Sequence, residues 1–182
     1  MGLPFEPLGV RAEGEKNNVP TEPTDHALGR SRGGYGTKFH LLCDEQGHPL
    51  GFVLSAGQVH DNQLLAPLLD VVDQSLHSED GQVMPWPHSL AGDKGYRALW
   101  IDEHLLERGI CPIIPCKKNQ DKNKRLVPFD KVKYKKRSII ENLIGWLKES
   151  RRIATRFEKT ATNFAAMVKL ACIHRYLRLA TR

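Results

Sequence analysis

The distribution of apolar positions divides the chain into short elements. TKFHLLCD (37–44) and PLGFVLSAG (49–57) are strand-like runs, and EQGH between them is turn chemistry, so the pair predicts an antiparallel hairpin. HDNQLLAPLLDVVDQSL (60–76) carries apolar residues at helical spacing, with Asp61 or Asn62 as the expected N-cap. A loop rich in proline and polar residues follows at 78–88. HSLAGDKGY (88–96) reads as a short strand ending in a glycine-flanked Asp93. RALWIDEHLLERG (97–109) is an amphipathic helix closed by Gly109, and ICPIIP (110–115) is another short strand. After a lysine-rich loop at 117–128, two helices are expected, at about 133–157 and 161–180. Residues 1–29 have few periodic apolar positions and many Pro, Glu, Asn and Gly, so they read as a poorly ordered remnant ahead of a domain at 30–182. The order of strands and helices is an α/β pattern, in which chemistry collects at the carboxyl ends of strands.

A length of 182 residues suits one domain with a real core. No apolar run is long enough to span a membrane, and no signal-peptide pattern opens the chain. Cys43, Cys111, Cys116 and Cys172 are scattered; reduced thiols are expected, and Cys111 and Cys116 lack zinc-ribbon spacing. Charge changes the picture more. Residues 1–116 hold 8 Lys/Arg against 16 Asp/Glu, whereas residues 117–182 hold 19 against 5. A basic surface of that kind suits a polyanion, most often nucleic acid; a solvated, ion-paired helical face is the other reading.

Two carboxylates are candidates for chemistry. Asp93 stands at a strand exit between Gly92 and Gly95, a place from which a carboxylate can hold a cation or cap the next turn. Glu141 lies in YKKRSIIENLIGWLKE (134–149). On a helix, Tyr134, Arg137, Glu141 and Lys148 share one stripe, separate from the aliphatic face of Ile139, Ile140, Leu143, Ile144 and Leu147. One acid between cations suits phosphodiester chemistry, with a divalent metal on the carboxylate and phosphate on the cations. A surface helix with i,i+4 ion pairs has the same spacing. His60 and Asp61 read as capping residues, His40 as a strand residue, and Trp100 and Trp146 as core.

Tyr-x2-Arg-x3-Glu-x6-Lys, matched without a gap by these four residues, resembles the signature of the DDE transposases of bacterial insertion sequences. GRSRGGYGTKFHLLCDEQGHPLGFVLSAGQVHD (29–61), AGDKGY and RRIATRFEKTATNF (151–164) resemble further blocks of that family, in the same order. The resemblance implies a ribonuclease H-like mixed sheet flanked by helices. It implies that Asp93 and Glu141 are catalytic metal ligands for Mg²⁺ or Mn²⁺. Tyr134, Arg137 and Lys148 would then meet DNA near the cut, while Lys117, Lys118 and the cluster up to Lys136 would contact the backbone. The reaction it implies is cleavage at element ends followed by strand transfer into target DNA. Self-association on DNA and a bacterial cytoplasmic, nucleoid-associated setting follow from the same resemblance.

The family's first Asp has no clear counterpart. Val10-Arg11-Ala12 echoes the end of its strand and puts Glu6 in the acid position, but Pro4 and Pro7 disfavour a central strand there. The first strand is therefore expected to be missing or degenerate. The chain reads as the downstream frame of a two-frame or broken element, inactive unless an upstream frame product supplies the acid. The alternative is a non-catalytic DNA-binding transposase remnant.

Overall fold

A computed structural model describes residues 25–31, 34–75, 85–120 and 125–181. Glu6 and its neighbours, with Lys122 and Lys124 of the basic loop, lie outside the described residues. The observed elements are β1 (Gly29–Ser31), β2 (Gly34–Cys43), β3 (Pro49–Ala56), α1 (Leu65–Ser75), β4 (Ser89–Ala91), α2 (Leu99–Glu107), β5 (Cys111–Ile113), α3 (Lys131–Lys135), α4 (Ser138–Lys148), α5 (Arg151–Ala154) and α6 (Ala161–Ala180). The mixed α/β class expected from the sequence is present. Its strands form two sheets, β1-β2-β3 and a β4-β5 pair.

The hairpin of β2 and β3 turns through Asp44–His48. Asp44 Oδ1 accepts from the backbone N–H groups of Gln46 (2.9 Å) and His48 (2.8 Å), and its Oδ2 lies 2.6 Å from the His48 ring nitrogen Nδ1. Gly47 takes φ +82, which only glycine adopts without strain. β4 and β5 pair in parallel, Leu90 opposite Pro112, and α2 forms the link between them. Gly109 ends that helix at φ +71, as its position predicts.

The chain forms two compact units. One takes His40–Val53 and His60–Asn142; the other takes the described part of Leu3–Phe39 with Leu54–Val59 and Leu143–Arg182. In the first, Leu65, Leu68, Leu69 and Val72 of α1 are buried, as are Ile101 and Leu105 of α2, with Leu90, Ile110, Ile113 and Ile114 around the parallel pair. Burying each such side chain contributes about 1.5–3 kcal/mol. A buried ion pair joins Arg97 to Asp102 in the first turn of α2.

In the second unit, Leu143, Ile144 and Leu147 are buried, with Ile153, Phe164 and Val168. Here RRIATRFEKTATNF acts as a clamp. The Arg156 guanidinium donates to the Thr37 hydroxyl and to the carbonyls of Glu158 (2.8 Å) and Lys159 (2.9 Å), and lies 5.3 Å over the Phe164 ring. Burial pulls its pKa below the ordinary arginine value, against the nearby Glu158 and Asp25 charges. The Thr37 hydroxyl itself donates to the Ala27 carbonyl, and the Thr162 hydroxyl donates to Asp25.

Three expectations are corrected. The helix expected at 133–157 is three helices. α3 buries nothing, so no packing holds it collinear with α4 across the like charges Lys135, Lys136 and Arg137. A second break follows Lys148, where Glu149 is exposed and Ser150 turns extended (ψ 114). Trp100 is 41% exposed and is not core, because α2 turns Ile101 and Leu105 inward instead. Asp61 is not a cap: it opens a 3-10 turn over Asp61–Leu64, whose N-cap His60 makes no side-chain capping bond. Every described cysteine is free, and burial pushes the Cys43 and Cys172 thiols up to about 11, so neither is a thiolate near neutral pH. No helix among the described residues is long and apolar enough to cross a membrane.

Candidate active site

Asp93 leaves the carboxyl end of β4 in extended conformation (φ −67, ψ 156) and caps the 3-10 turn Lys94–Tyr96, accepting from the Lys94 N–H at 2.6 Å. The turn is held from below. Tyr96 is buried and its hydroxyl meets His40 Nδ1 at 2.6 Å, while Arg97 at its end enters the buried pair with Asp102. So His40, which alternation assigned only to a strand, is also a support for the Asp93 turn.

Asp61 was also underestimated. A Cβ at Gly95 would collide with the Asp61 carboxylate, so glycine at this position, two residues after Asp93, leaves room for that acid. The signal available in the sequence was the HD pair at the head of its segment, which capping explained too readily. Replacing Gly95 with Ala is expected to push the Asp61 carboxylate aside at a cost of about 1 kcal/mol. Thermal unfolding should show Gly95→Ala destabilised and the Gly95→Ala, Asp61→Ala double variant partly restored. Additive losses in the double variant would show that the two residues do not meet.

Of the stripe, three members touch. Arg137 and Glu141 form an ion pair at 2.5 Å, with 19% and 42% of their side chains exposed, and the Arg137 guanidinium lies 5.5 Å from the Tyr134 ring centroid. Tyr134 also packs on Phe129, centroid to centroid 5.1 Å. The contact forms across the α3–α4 break: the Arg137 N–H bonds the Tyr134 carbonyl at 3.0 Å. A two-residue turn between α3 and α4 thus keeps the side chains together where a continuous helix was expected to. Asp130 caps α3 through the N–H groups of Val132 (2.9 Å) and Lys133 (3.0 Å). Lys148 is exposed at the end of α4, about 10 Å along the axis from Glu141. Lys117 and Lys118 are exposed in the turn after β5, which closes through Gln120 N–H to the Lys117 carbonyl at 3.1 Å.

Among the described residues no group of three or more His, Cys, Asp or Glu gathers where it could hold a metal ion. Asp93 and Glu141 are supplied by different elements, and Glu141 is already engaged by Arg137. The described residues therefore do not assemble a metal centre by themselves.

The family model for the transposase DDE domain matches residues 10–175. The chain belongs to the DDE transposase family. A relative from Burkholderia cepacia, assigned as the transposase for insertion sequence element IS402, is 31% identical over 150 residues. That alignment covers 82% of this chain and 64% of the relative, so the DDE transposase chain described here spans less than two-thirds of that protein's length. No solved structure matches the chain.

Proposed function

We propose that this chain is part of a ribonuclease H-like DDE catalytic domain that cuts insertion-sequence ends and joins them to target DNA. Asp93 and Glu141 supply two of its acids, and a further acid completes the set. What supports this reading most is the Arg137–Glu141 pair on the helix pair that also presents Tyr134 and Lys148, in a chain of this family. Arg137 holds Glu141 in place and is positioned to take a phosphate oxygen once a cation occupies the carboxylate. Lys148, farther along α4, adds a point charge for DNA outside the cut. Bound to the completed acid set, divalent cations, Mg²⁺ or Mn²⁺, would polarise the scissile phosphate and activate water. The 182-residue chain by itself is expected to be inactive, and a product of an upstream frame or a second copy on DNA would complete the assembly.

A second reading, the non-catalytic DNA-binding remnant, is favoured because no group of three or more His, Cys, Asp or Glu among the described residues gathers where it could hold a metal ion. Restoration of an acid-bearing strand separates the two: the catalytic reading requires cleavage, and the remnant reading forbids it.

Both readings require DNA binding by the basic half. Lys117→Ala with Lys118→Ala is expected to weaken duplex binding equally for unrelated sequences. The slope of log K against log salt should flatten by roughly 2 if both lysines neutralise phosphates. Fluorescence anisotropy across a salt series reads this directly. An unchanged slope would make the two lysines part of a solvated face.

A further inference from the structure

α6 carries two apolar stripes, and only one is buried. Phe164 and Val168 form the inward stripe. On the opposite side Ala166, Leu170, Ile173, Leu177 and Ala180 follow at alternating steps of four and three residues, the heptad spacing of a seam that meets another helix. All five are exposed, Leu170 at 58%, Ile173 at 54% and Leu177 at 61%. Beside this seam a groove of about 400 Å³ runs against the end of α4, lined by Trp146, Met167, Leu170 and His174, with Glu149 and Arg178. Leu170 belongs to both, so seam and groove make one apolar strip of the kind that marks an interaction surface.

Charge decides what covers the strip. Between Ala161 and Ala180 the helix has Lys169, Arg175 and Arg178 and no acid, so pairing with a second α6 would set like charges against each other. The partner needed is a helix with exposed apolar residues and carboxylates, and α2 of the same chain is one. It holds Asp102, Glu103 and Glu107 and no Lys or Arg. Ile101, Asp102 and Leu105 are buried, while Leu99, Trp100, Glu103, Leu106 and Glu107 are exposed along one arc. Leu99 and Leu106 lie two turns apart, as do Leu170 and Leu177, so the two faces match in length at about 10 Å. We infer that α2 of one copy docks on α6 of a second copy, with Leu99 and Leu106 against the seam and Trp100 over the groove. Glu103 and Glu107 then face the acid-free helix. The two faces are unlike, each copy offers one of each, and the contact needs no DNA. It rests on these faces alone and not on the catalytic reading, and it is separate from any pairing that element ends impose.

The test is analytical ultracentrifugation of the full 182-residue chain, freed of nucleic acid by nuclease. A contact of two helical turns a side is small, so association is expected at roughly tens of micromolar and above. Ile173→Asp blocks the α6 face and Leu99→Asp blocks the α2 face. Each variant alone is expected to associate about tenfold more weakly or worse. An equal mixture of the two should recover a heterodimer, because each supplies the face that the other lacks. Should either variant misfold by circular dichroism, Glu103→Lys and Lys169→Glu carry the same test by charge alone, each weaker by about threefold and the mixture restored. A chain that stays monomeric to roughly half a millimolar, or that associates only when DNA is added, overturns the proposal. A mixture that remains monomeric overturns it as well. So does continued self-association of either blocked protein, which for Leu99→Asp would mean that α6 pairs with itself. Neither metal nor cleavage enters the measurement, so failure here leaves the catalytic reading intact, and an inactive completed enzyme leaves this contact intact.

Discussion

Asp93→Asn and Glu141→Gln are each expected to abolish end cleavage by a completed protein, made by fusing a strand that bears a further acid ahead of this chain. Both changes keep the shape, remove the charge and turn one acceptor oxygen into an N–H donor. A divalent cation distinguishes a carboxylate from an amide by charge, so the loss falls on the reacting centre and not on packing. Several kcal/mol of transition-state stabilisation correspond to a loss of roughly a thousandfold or more. Lys148→Ala should cost less and show mainly as weaker engagement of the DNA ends, because Lys148 sits at the far end of α4. Circular dichroism should be unchanged in all three, since none removes buried apolar volume. A gel assay of labelled element ends decides the matter. Full cleavage by Glu141→Gln would reduce the Arg137–Glu141 pair to an ordinary surface contact, and cleavage by the unfused chain would show that Glu6 or another acid already completes the set.

The second large effect is on stability. Asp102 is 1% exposed and Arg97 is 6% exposed, and the Asp102 oxygen outside their bond, Oδ1, has no hydrogen-bond partner among the described residues. Asp102→Asn would leave a buried guanidinium without its counter-charge. Breaking a buried pair from one side costs about 3–5 kcal/mol, and it also removes an acid from the first turn of α2, where the helix dipole favours one. For a chain of this size the unfolding midpoint should fall by roughly 10 °C. Arg97→Met with Asp102→Leu should recover much of the loss, because desolvation of two charges is avoided. A midpoint within 2 °C of the parent for Asp102→Asn would show that the pair is open to water in solution. The pair closes the turn that Asp93 opens, so Asp102→Asn should also weaken any cation binding that depends on Asp93.

Local chemistry made much of this legible. The hairpin follows from two apolar runs around Asp44 and Gly47, whose side chain and backbone freedom build the turn within five residues. Gly109 ends α2 and Thr160 caps α6 for equally local reasons. The place of Asp93 just after a strand was legible because strand exits are read from apolar runs. What escaped is set by distant partners. Periodicity saw one helix at 133–157, but whether consecutive turns run on as one helix depends on what they pack against, and α3 has no buried residue. Arg97 and Asp102 looked like the polar face of an amphipathic helix, since their burial comes from elements not adjacent to them in sequence. Asp61 looked like a cap because its neighbour Gly95 is thirty-four residues away. The ribonuclease H-like arrangement was inferred from resemblance, and the separation of the strands into two sheets was not expected from the apolar pattern.

The Arg156 clamp sets an order of events during synthesis. Its bond to Thr37 spans 119 positions, and that of Thr162 to Asp25 spans 137. Until Arg156 and Thr162 have left the ribosome, the Thr37 and Asp25 ends of those bonds have no partner, however early their own segment is made. The second unit therefore closes only after the chain has been made as far as Thr162, and contacts of such separation are the slow ones in folding. A product that stops before Arg156 would lose the anchor of its earliest described residues as well as its tail. Termination before Arg156 should thus be felt more than a hundred positions earlier, as early proteolysis near Asp25.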